Sequence, residues 1–206
     1  MRKVFEYGGL FAAIVLIAFG AASIVMSVHG HSTVQSSLKL EQIVGTPDMT
    51  PSAIKAEAAK AGLTNVDLPT CSVAGKPVDN GARARCFAQY MRIHTLEATG
   101  GQTYAQMPRY ATADGKGTND VTAALIKNGR PVDNAARNLW VTETALTTAL
   151  NTSYLAEQIS LFGIVVGVAL LLSGIGFGVL ALAGALRGKE AMVHLPKHAK
   201  EPIAAR

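Results

Sequence analysis

The chain has 206 residues, of which 49% are hydrophobic and only 16% are charged. Soluble domains usually carry about 25% charged residues, so this composition excludes a disordered chain and an ordinary cytosolic protein. Lys and Arg exceed Asp and Glu by 19 to 14, a net charge of +5. Most of that excess lies in the two terminal segments of the chain.

The first predicted element is a membrane-spanning helix over residues 8–28, preceded by a short N-terminal segment, residues 1–7. The helix is uncharged and has 21 residues, which matches the roughly 20 residues that a helix needs to cross a bilayer. It could continue outside the membrane as far as Gly45. A cleaved signal peptide is the alternative, because Arg2 and Lys3 form a basic start, but its apolar region is normally about 7 to 15 residues.

A second uncharged run predicts another membrane-spanning helix over residues 159–186, followed by a basic tail, residues 187–206. Basic residues flank each span on the side of the nearer terminus, so the positive-inside rule predicts a two-pass plasma-membrane protein with both termini in the cytoplasm. Residues 29–158 then form an extracytoplasmic domain. The tail is too sparsely basic for a nucleic-acid site, and we expect it to contact anionic membrane lipid.

The cysteines, Cys71 and Cys86, both lie in the predicted outer segment, 15 positions apart. Disulfides form in oxidising compartments, so this pair predicts one disulfide, with two free buried thiols as the alternative. A metal role is not predicted, since no histidine lies beside them at ligand spacing.

Helix signals in the outer segment are local. Thr50 and Pro51 are an N-cap followed by proline at the first helical position, which predicts a helix over about residues 51–61. A second helix is predicted over residues 82–98, ending before two glycines.

The rest of the outer segment predicts an irregular stretch and then a long helix. Glycine and proline are frequent and large aliphatic residues few over residues 99–129, which indicates irregular structure. A helix is then predicted from Asn134 to Leu186 without interruption, with Leu139, Leu146 and Leu150 on its buried face. The predicted fold class is mainly α. Two transmembrane helices extend as stalks into a small helical extracytoplasmic cap with one disulfide and a short β-hairpin or strand pair.

The outer segment also contains an internal repeat, residues 75–83 and 129–137. Both copies have a basic residue, Pro, Val, Asp, Asn, a small residue, Ala and Arg in the same order. The structural interpretation is a glycine turn, an extended Pro-Val pair and an Asp or Asn N-cap that opens a helix. Residues 72–78 could also pair with residues 125–132 as short strands.

A ligand-binding interpretation of the repeat is the alternative. Arg83 and Arg137, or the aspartates four residues before them, would meet across a pseudo-twofold axis and hold a ligand. A cavity lined by Arg83, Arg137, Tyr104 and Trp140 would favour this interpretation, and these four residues are the candidate ligand or partner contacts.

Small residues form a stripe on each predicted membrane helix. Helices associate in lipid through van der Waals packing, and small residues let their backbones approach closely. Packing of the two spans within one chain and oligomerisation are the two interpretations. The predicted helix–helix interface residues are Gly163, Gly167, Gly174 and Gly178 on the second helix and Gly9, Ala13 and Gly20 on the first.

We predict no catalytic residues, no metal site and no cofactor. Neither span contains an ionisable residue, and the sequence has no nucleophile elbow, phosphate-binding glycine loop or CxxC motif. His94 is interpreted as a core or surface histidine of an outer helix. His194 and His198 have the spacing of helical metal ligands, but Pro196 between them would break the helix.

Several long blocks carry a resemblance to a known family. They are RKVFEYGG, TPDMTPSAIKAEAAKAGL, GARARCFAQYMRIHTLEATGGQTYAQMPRY and the block from AARNLWVTET to GIGFGVLAL. Together they resemble an uncharacterised family of actinobacterial two-span membrane proteins, whose members are often labelled aromatic ring-opening dioxygenases. The resemblance implies no particular functional residues. Ring-opening dioxygenases of the extradiol type need two histidines and a carboxylate to hold ferrous iron, and in the outer segment only His94 lies away from the membrane edge.

The sequence therefore predicts a noncatalytic membrane-anchored envelope protein. We expect it to act as a scaffold or accessory subunit through its outer domain and its glycine-rich second span. Its expected partners are membrane lipid and either further copies of itself in a homo-oligomer or a larger membrane protein complex, with no nucleic acid. The alternative function is an extracytoplasmic ligand-binding or sensing module.

Overall fold

A computed structural model describes residues 2–183. Its described part has four α-helices, which make the fold mainly α as predicted: α1 (Arg2–Leu40), α2 (Pro51–Lys60), α3 (Gly81–Ala98) and α4 (Ala135–Leu182). A 3-10 helix covers Val121–Ala123, and two short strands, β1 (Ile126–Lys127) and β2 (Arg130–Pro131), pair antiparallel. The chain divides into two compact units, one of Met1–Ala21 with Gly167–Arg206 and one of Ala22–Val166.

Two of the helices are long and apolar enough to cross a membrane. They are Val4–Leu40 within α1 and the whole of α4, each with a mean hydropathy of 2.5 in its most apolar window. Only 11% and 17% of the residues in these windows are buried within the chain. A core helix of a soluble protein would be mostly buried, so these helices have apolar surfaces that the rest of the described chain does not cover.

The ends of the long helices differ in part from the prediction. Helix α1 ends at Leu40 instead of reaching Gly45. Gln42 has a positive φ of 52°, and Gly45 forms a β-bridge with Ala74, so the chain here is no longer helical. The predicted end of the last helix, residues 184–186, lies outside the described residues, as does the basic tail.

In the unit that contains the chain ends, α1 and α4 pack through small residues. A Cβ atom at Gly20 would lie 2.8 Å from the carbonyl oxygen of Gly167, and one at Gly174 would lie 3.0 Å from that of Ala13. These distances are shorter than ordinary van der Waals contact, so only glycine permits the two backbones to lie this close.

The hydrophobic core of the second unit is built around α3. Its inward face contributes Phe87, Tyr90, Ile93 and Leu96, and α2 adds Ile54 and Ala58. From α4, Leu150 is buried and Leu146 packs against the core, as predicted, but Leu139 is 41% exposed. Its neighbour Trp140 points inward instead and is only 3% exposed.

The predicted disulfide between Cys71 and Cys86 is confirmed, with a Cα–Cα distance of 6.1 Å. It joins the loop before α3 to the first half of that helix. Tyr90 lies one turn further along α3, and its hydroxyl donates a hydrogen bond of 2.6 Å to the Cys71 carbonyl oxygen. The disulfide and this hydrogen bond therefore both attach the loop before α3 to that helix.

The predicted pairing of residues 72–78 with residues 125–132 does not occur in the described structure. Strands β1 and β2 both lie within residues 125–132 and form a hairpin with each other. The turn between them is Asn128–Gly129. Both residues have positive φ angles, 52° and 73°, as the type I′ turn of a two-residue hairpin requires. Residues 74 and 77 instead form bridges with Gly45 and Val44.

Candidate functional site

Each copy of the internal repeat opens a helix, as the structural interpretation predicts. The Asn80 side chain accepts a hydrogen bond of 2.9 Å from the Arg83 N–H at the start of α3. The Asn134 side chain accepts one of 3.0 Å from the Ala136 N–H at the start of α4. In both copies the cap is the asparagine, because its oxygen reaches the free amides of the first turn.

The arginines of the repeat have different partners. The Arg83 guanidinium lies 2.7 Å from the Asp79 carboxylate and also donates to the Pro77 carbonyl oxygen. The Arg137 guanidinium lies over the Tyr104 ring, 4.0 Å from its centre. Arg83 therefore forms a local pair within its own helix start, whereas Arg137 forms a cation–π contact with the segment that follows α3.

Trp140 attaches the start of α4 to the end of α3. Its indole Nε1–H donates a hydrogen bond of 2.7 Å to the Gln102 carbonyl oxygen. The Arg92 guanidinium of α3 lies 4.8 Å from the centre of the indole ring. The hydrogen bond fixes the edge of the indole, and the Arg92 guanidinium covers one face of its ring. The surface beside the indole therefore has a defined shape.

An apolar cavity opens beside Trp140, and we call it the α4 groove. It has a volume of about 590 Å³ and is lined by Tyr104, Trp140, Val141, Thr144, Ala145 and Thr148. Val141 is 56% exposed and Tyr104 46% exposed. The α4 groove is therefore open to solvent and mainly apolar.

A polar cavity of about 430 Å³ shares Tyr104 and Val141 with the α4 groove. Its other walls include Arg109, Arg137 and Asp133. Of the four candidate contact residues, three thus line these two neighbouring cavities: Tyr104 lines both, Trp140 the apolar one and Arg137 the polar one. Arg83 lines neither.

Two buried carboxylates on α4 were not predicted from the sequence. Glu157 is 6% exposed, and its carboxylate accepts a hydrogen bond of 2.8 Å from the Gly81 N–H and one of 3.3 Å from the Gln35 amide. The His31 ring also lies 3.6 Å from it. Since a Cβ atom at Gly81 would lie 2.8 Å from the Tyr154 Cα atom, glycine lets the start of α3 approach this carboxylate.

Glu143 is 2% exposed, and one of its oxygens accepts a hydrogen bond of 3.3 Å from the Thr144 hydroxyl. Its other oxygen has no hydrogen-bond partner in the part of the chain that the structure describes. A signal was present in the sequence, because Glu143 and Glu157 are the only acidic residues between positions 134 and 186.

A cluster of three side chains, Asp48, Glu57 and His94, was also not predicted from the sequence, and we call it the carboxylate–histidine cluster. The His94 Nε2 atom lies 3.1 Å from an Asp48 oxygen and 3.5 Å from a Glu57 oxygen. Hydrogen bonding from the Thr46 side chain, with a smaller effect of His94, lowers the pKa of Asp48. The three residues come from a loop, α2 and α3, so no spacing in the sequence could indicate the cluster.

Those predicted helix–helix interface residues whose contacts are described lie between α1 and α4. Gly20, Gly167, Gly174 and Ala13 are buried against the opposite helix, and a Cβ atom at Gly178 would lie 3.7 Å from the Ala13 Cβ atom. In the second unit, the Ser23 hydroxyl donates to the Gly163 carbonyl oxygen at 2.8 Å. Gly9 is half-buried.

No family model, curated protein or solved structure matches the chain.

Proposed function

We propose that the protein is a noncatalytic, membrane-anchored envelope protein that acts as a scaffold or accessory subunit and assembles with further copies of itself. The observation that carries the proposal is the α4 groove, an open apolar surface on a helix whose position is fixed by the buried Trp140. Exposed apolar surfaces on otherwise polar domains are typical of sites of protein association.

A second copy of the chain supplies a suitable occupant. The 3-10 helix exposes Val121, and the start of the β-hairpin exposes Ile126 together with Leu125 just before it; the three are 50%, 56% and 44% accessible, respectively. Burial of apolar surface contributes about 25 cal/mol per Å², so these side chains gain free energy by leaving water for an apolar groove. A groove on one copy and a hairpin on the next form a head-to-tail contact, which closes into a ring at a suitable angle.

The test is native mass spectrometry of the full-length protein after gentle detergent extraction. We expect a defined homo-oligomer, and we expect Ala145→Arg in the α4 groove to convert it to a monomer. Thr142→Arg is the matched control, because Thr142 is exposed on the same helix but does not line the groove. An oligomer that survives Ala145→Arg, or a wild-type monomer, contradicts the proposal.

For the membrane arrangement we propose two membrane crossings in the plasma membrane, with both termini cytoplasmic and residues 29–158 outside. The basic residues beside the terminal ends of both apolar helices support this orientation. The Cys71–Cys86 disulfide supports it as well, since disulfides persist in oxidising compartments.

Cysteine labelling on intact cells tests this topology. Asp114 has a 58% exposed side chain, so we expect Asp114→Cys to react with an impermeant maleimide. In the tail, Ala191→Cys should react only after the cells are permeabilised. The reverse labelling pattern would contradict the proposed orientation.

A ligand-binding or sensing module is the second candidate function, because the polar cavity places Arg109 and Arg137 beside the Tyr104 ring. Two guanidinium groups at one cavity favour an anionic ligand. In the same mass spectrometry experiment, this function predicts a monomer that carries a small anionic molecule. That molecule should be lost in Arg137→Gln and retained in Arg130→Gln, an exposed arginine outside the cavity.

A further inference from the structure

The geometry points to a divalent transition-metal site at the carboxylate–histidine cluster, with Asp48, Glu57 and His94 as its three protein ligands. Each residue offers one ligand atom, and the three atoms all lie within 4.8 Å of one another. One imidazole nitrogen and two carboxylate oxygens form a mixed ligand set that suits zinc and its first-row neighbours.

The distances within the cluster match those between ligands that share one ion. Zinc binds nitrogen and oxygen at about 2.0 to 2.2 Å, so neighbouring ligands in a tetrahedral site are about 3.3 to 3.6 Å apart and those in an octahedral site about 3.0 Å. The His94 Nε2 atom lies 3.1 Å from the Asp48 oxygen and 3.5 Å from the Glu57 oxygen. Two of the three edges of the site therefore already have the lengths that coordination requires.

A second observation concerns the imidazole itself. The His94 Nε2 atom itself is shielded from solvent and lies at ion-pair distance from both carboxylates, but it forms no well-aligned hydrogen bond with either of them in the described structure. A shielded ring nitrogen beside two carboxylates therefore has close charged neighbours but no well-aligned hydrogen bond. A metal ion between the three atoms would accept the nitrogen lone pair and offset the charge of both carboxylates.

The three side chains are each about one-third exposed, so solvent reaches the cluster from one side. Water can therefore complete the coordination of a metal ion held by three protein ligands. The imidazole ligand disfavours calcium and magnesium, which prefer oxygen ligands only.

The expected role of the ion is structural. Helix α2 has ten residues, which is too short for stable helix formation on its own. Its contact with the core is through Ile54 and Ala58. A bound ion would join Glu57 on this helix to His94 on α3 and to the loop that contains Asp48, so α2 and α3 would unfold together.

The probe is Zn²⁺, added to the full-length protein in detergent micelles after treatment with a chelator. His194→Gln and His198→Gln are introduced first, to remove the histidines of the tail. Isothermal titration calorimetry should then show one Zn²⁺ per chain, and the ion should raise the Tm by several degrees. Zinc K-edge absorption should show nitrogen and oxygen ligands only, with one imidazole.

Replacement of single ligands should weaken binding at least tenfold. The ligand variants are His94→Gln, Asp48→Asn and Glu57→Gln, and the matched controls are His29→Gln and Glu97→Gln, which change exposed residues outside the cluster. Far-ultraviolet circular dichroism and the intact disulfide establish that each variant is folded. Absence of saturable Zn²⁺ binding, or equal binding by the folded ligand variants and the controls, overturns the inference.

Discussion

Two neighbouring segments of the second compact unit, residues 43–102 and residues 103–133, are held together by different interactions. The first contains most of the buried apolar side chains, centred on α3, and also the disulfide. The second contributes only Met107 and Ala124 to the buried apolar residues of the described chain. Burial of apolar surface is the main favourable contribution to folding, so the first segment should determine the stability of the unit.

The second segment relies on hydrogen bonds at the surface. Tyr110 and Thr118 exchange two backbone hydrogen bonds of 2.9 Å, and Ala111 and Val132 are joined by a third. The threonines Thr112 and Thr122 donate hydrogen bonds that lower the pKa of Asp114 and Asp120. Exposed hydrogen bonds contribute little net stability because water competes for the same groups, so this segment should open locally before the core does.

The largest effect should come from loss of the disulfide. The Cys71→Ser and Cys86→Ser double variant should lower the free energy of unfolding by about 3 kcal/mol, since the loop it closes has about 16 residues. Hydrogen exchange of the full-length protein in micelles is the measurement, and protection should fall in α3. Equal loss of protection in residues 103–133 would contradict the proposed difference between the segments.

An intermediate effect is expected from Tyr90→Phe. Tyr90 is fully buried, and its hydroxyl is the donor to the Cys71 carbonyl oxygen. Its removal leaves that oxygen without this donor and should lower the free energy of unfolding by about 1 to 3 kcal/mol. Tyr104→Phe is the matched control in the second segment, where the tyrosine is 46% exposed, and it should change stability very little.

Alkaline pH should distinguish the same two tyrosine variants. Burial raises the pKa of Tyr90 above its usual value of 10.0, so the folded state holds the phenol proton more tightly than the unfolded state does. The stability from this group is complete below about pH 10 and is lost as pH rises through the raised pKa. Unfolding of Tyr90→Phe should lack this alkaline loss, whereas Tyr104→Phe should retain it.

Local signals in the sequence predicted the parts of the fold that depend on local interactions. Thr50 and Pro51 place the start of α2 correctly, because a cap and an N1 proline act within one turn. The predicted pairing of residues 72–78 with residues 125–132 was wrong for a related reason. Asn128 and Gly129 close a two-residue turn, and this local geometry determined the pairing more strongly than the similarity between the repeats.

Contacts between distant positions could not be predicted in this way. Glu157 binds the Gly81 N–H across 76 positions of sequence. His94 likewise meets Asp48 and Glu57 only because α2 packs on α3. Such contacts depend on how helices pack, and a single sequence carries that information only through the unusual placement of a charge, as at Glu143 and Glu157.

The smallest expected effect compares the two helix caps of the repeat. Asn80→Ala removes the cap of α3 and should lower the free energy of unfolding by about 1 kcal/mol, within the usual range of about 0.5 to 2 kcal/mol. Asn134→Ala removes the same type of bond from α4, but Asn134 also donates to the Pro108 carbonyl oxygen, 3.0 Å away in the second segment.

These two variants should therefore differ in where they act. Helix α4 has 48 residues, so loss of its cap should fray only its first turn and release the end of the second segment. Hydrogen exchange should become faster near residues 108–136 in Asn134→Ala, with the global unfolding transition almost unchanged. In Asn80→Ala the transition itself should shift, because the start of α3 belongs to the core. Equal shifts of the global transition in both variants would mean that the second segment unfolds together with the core.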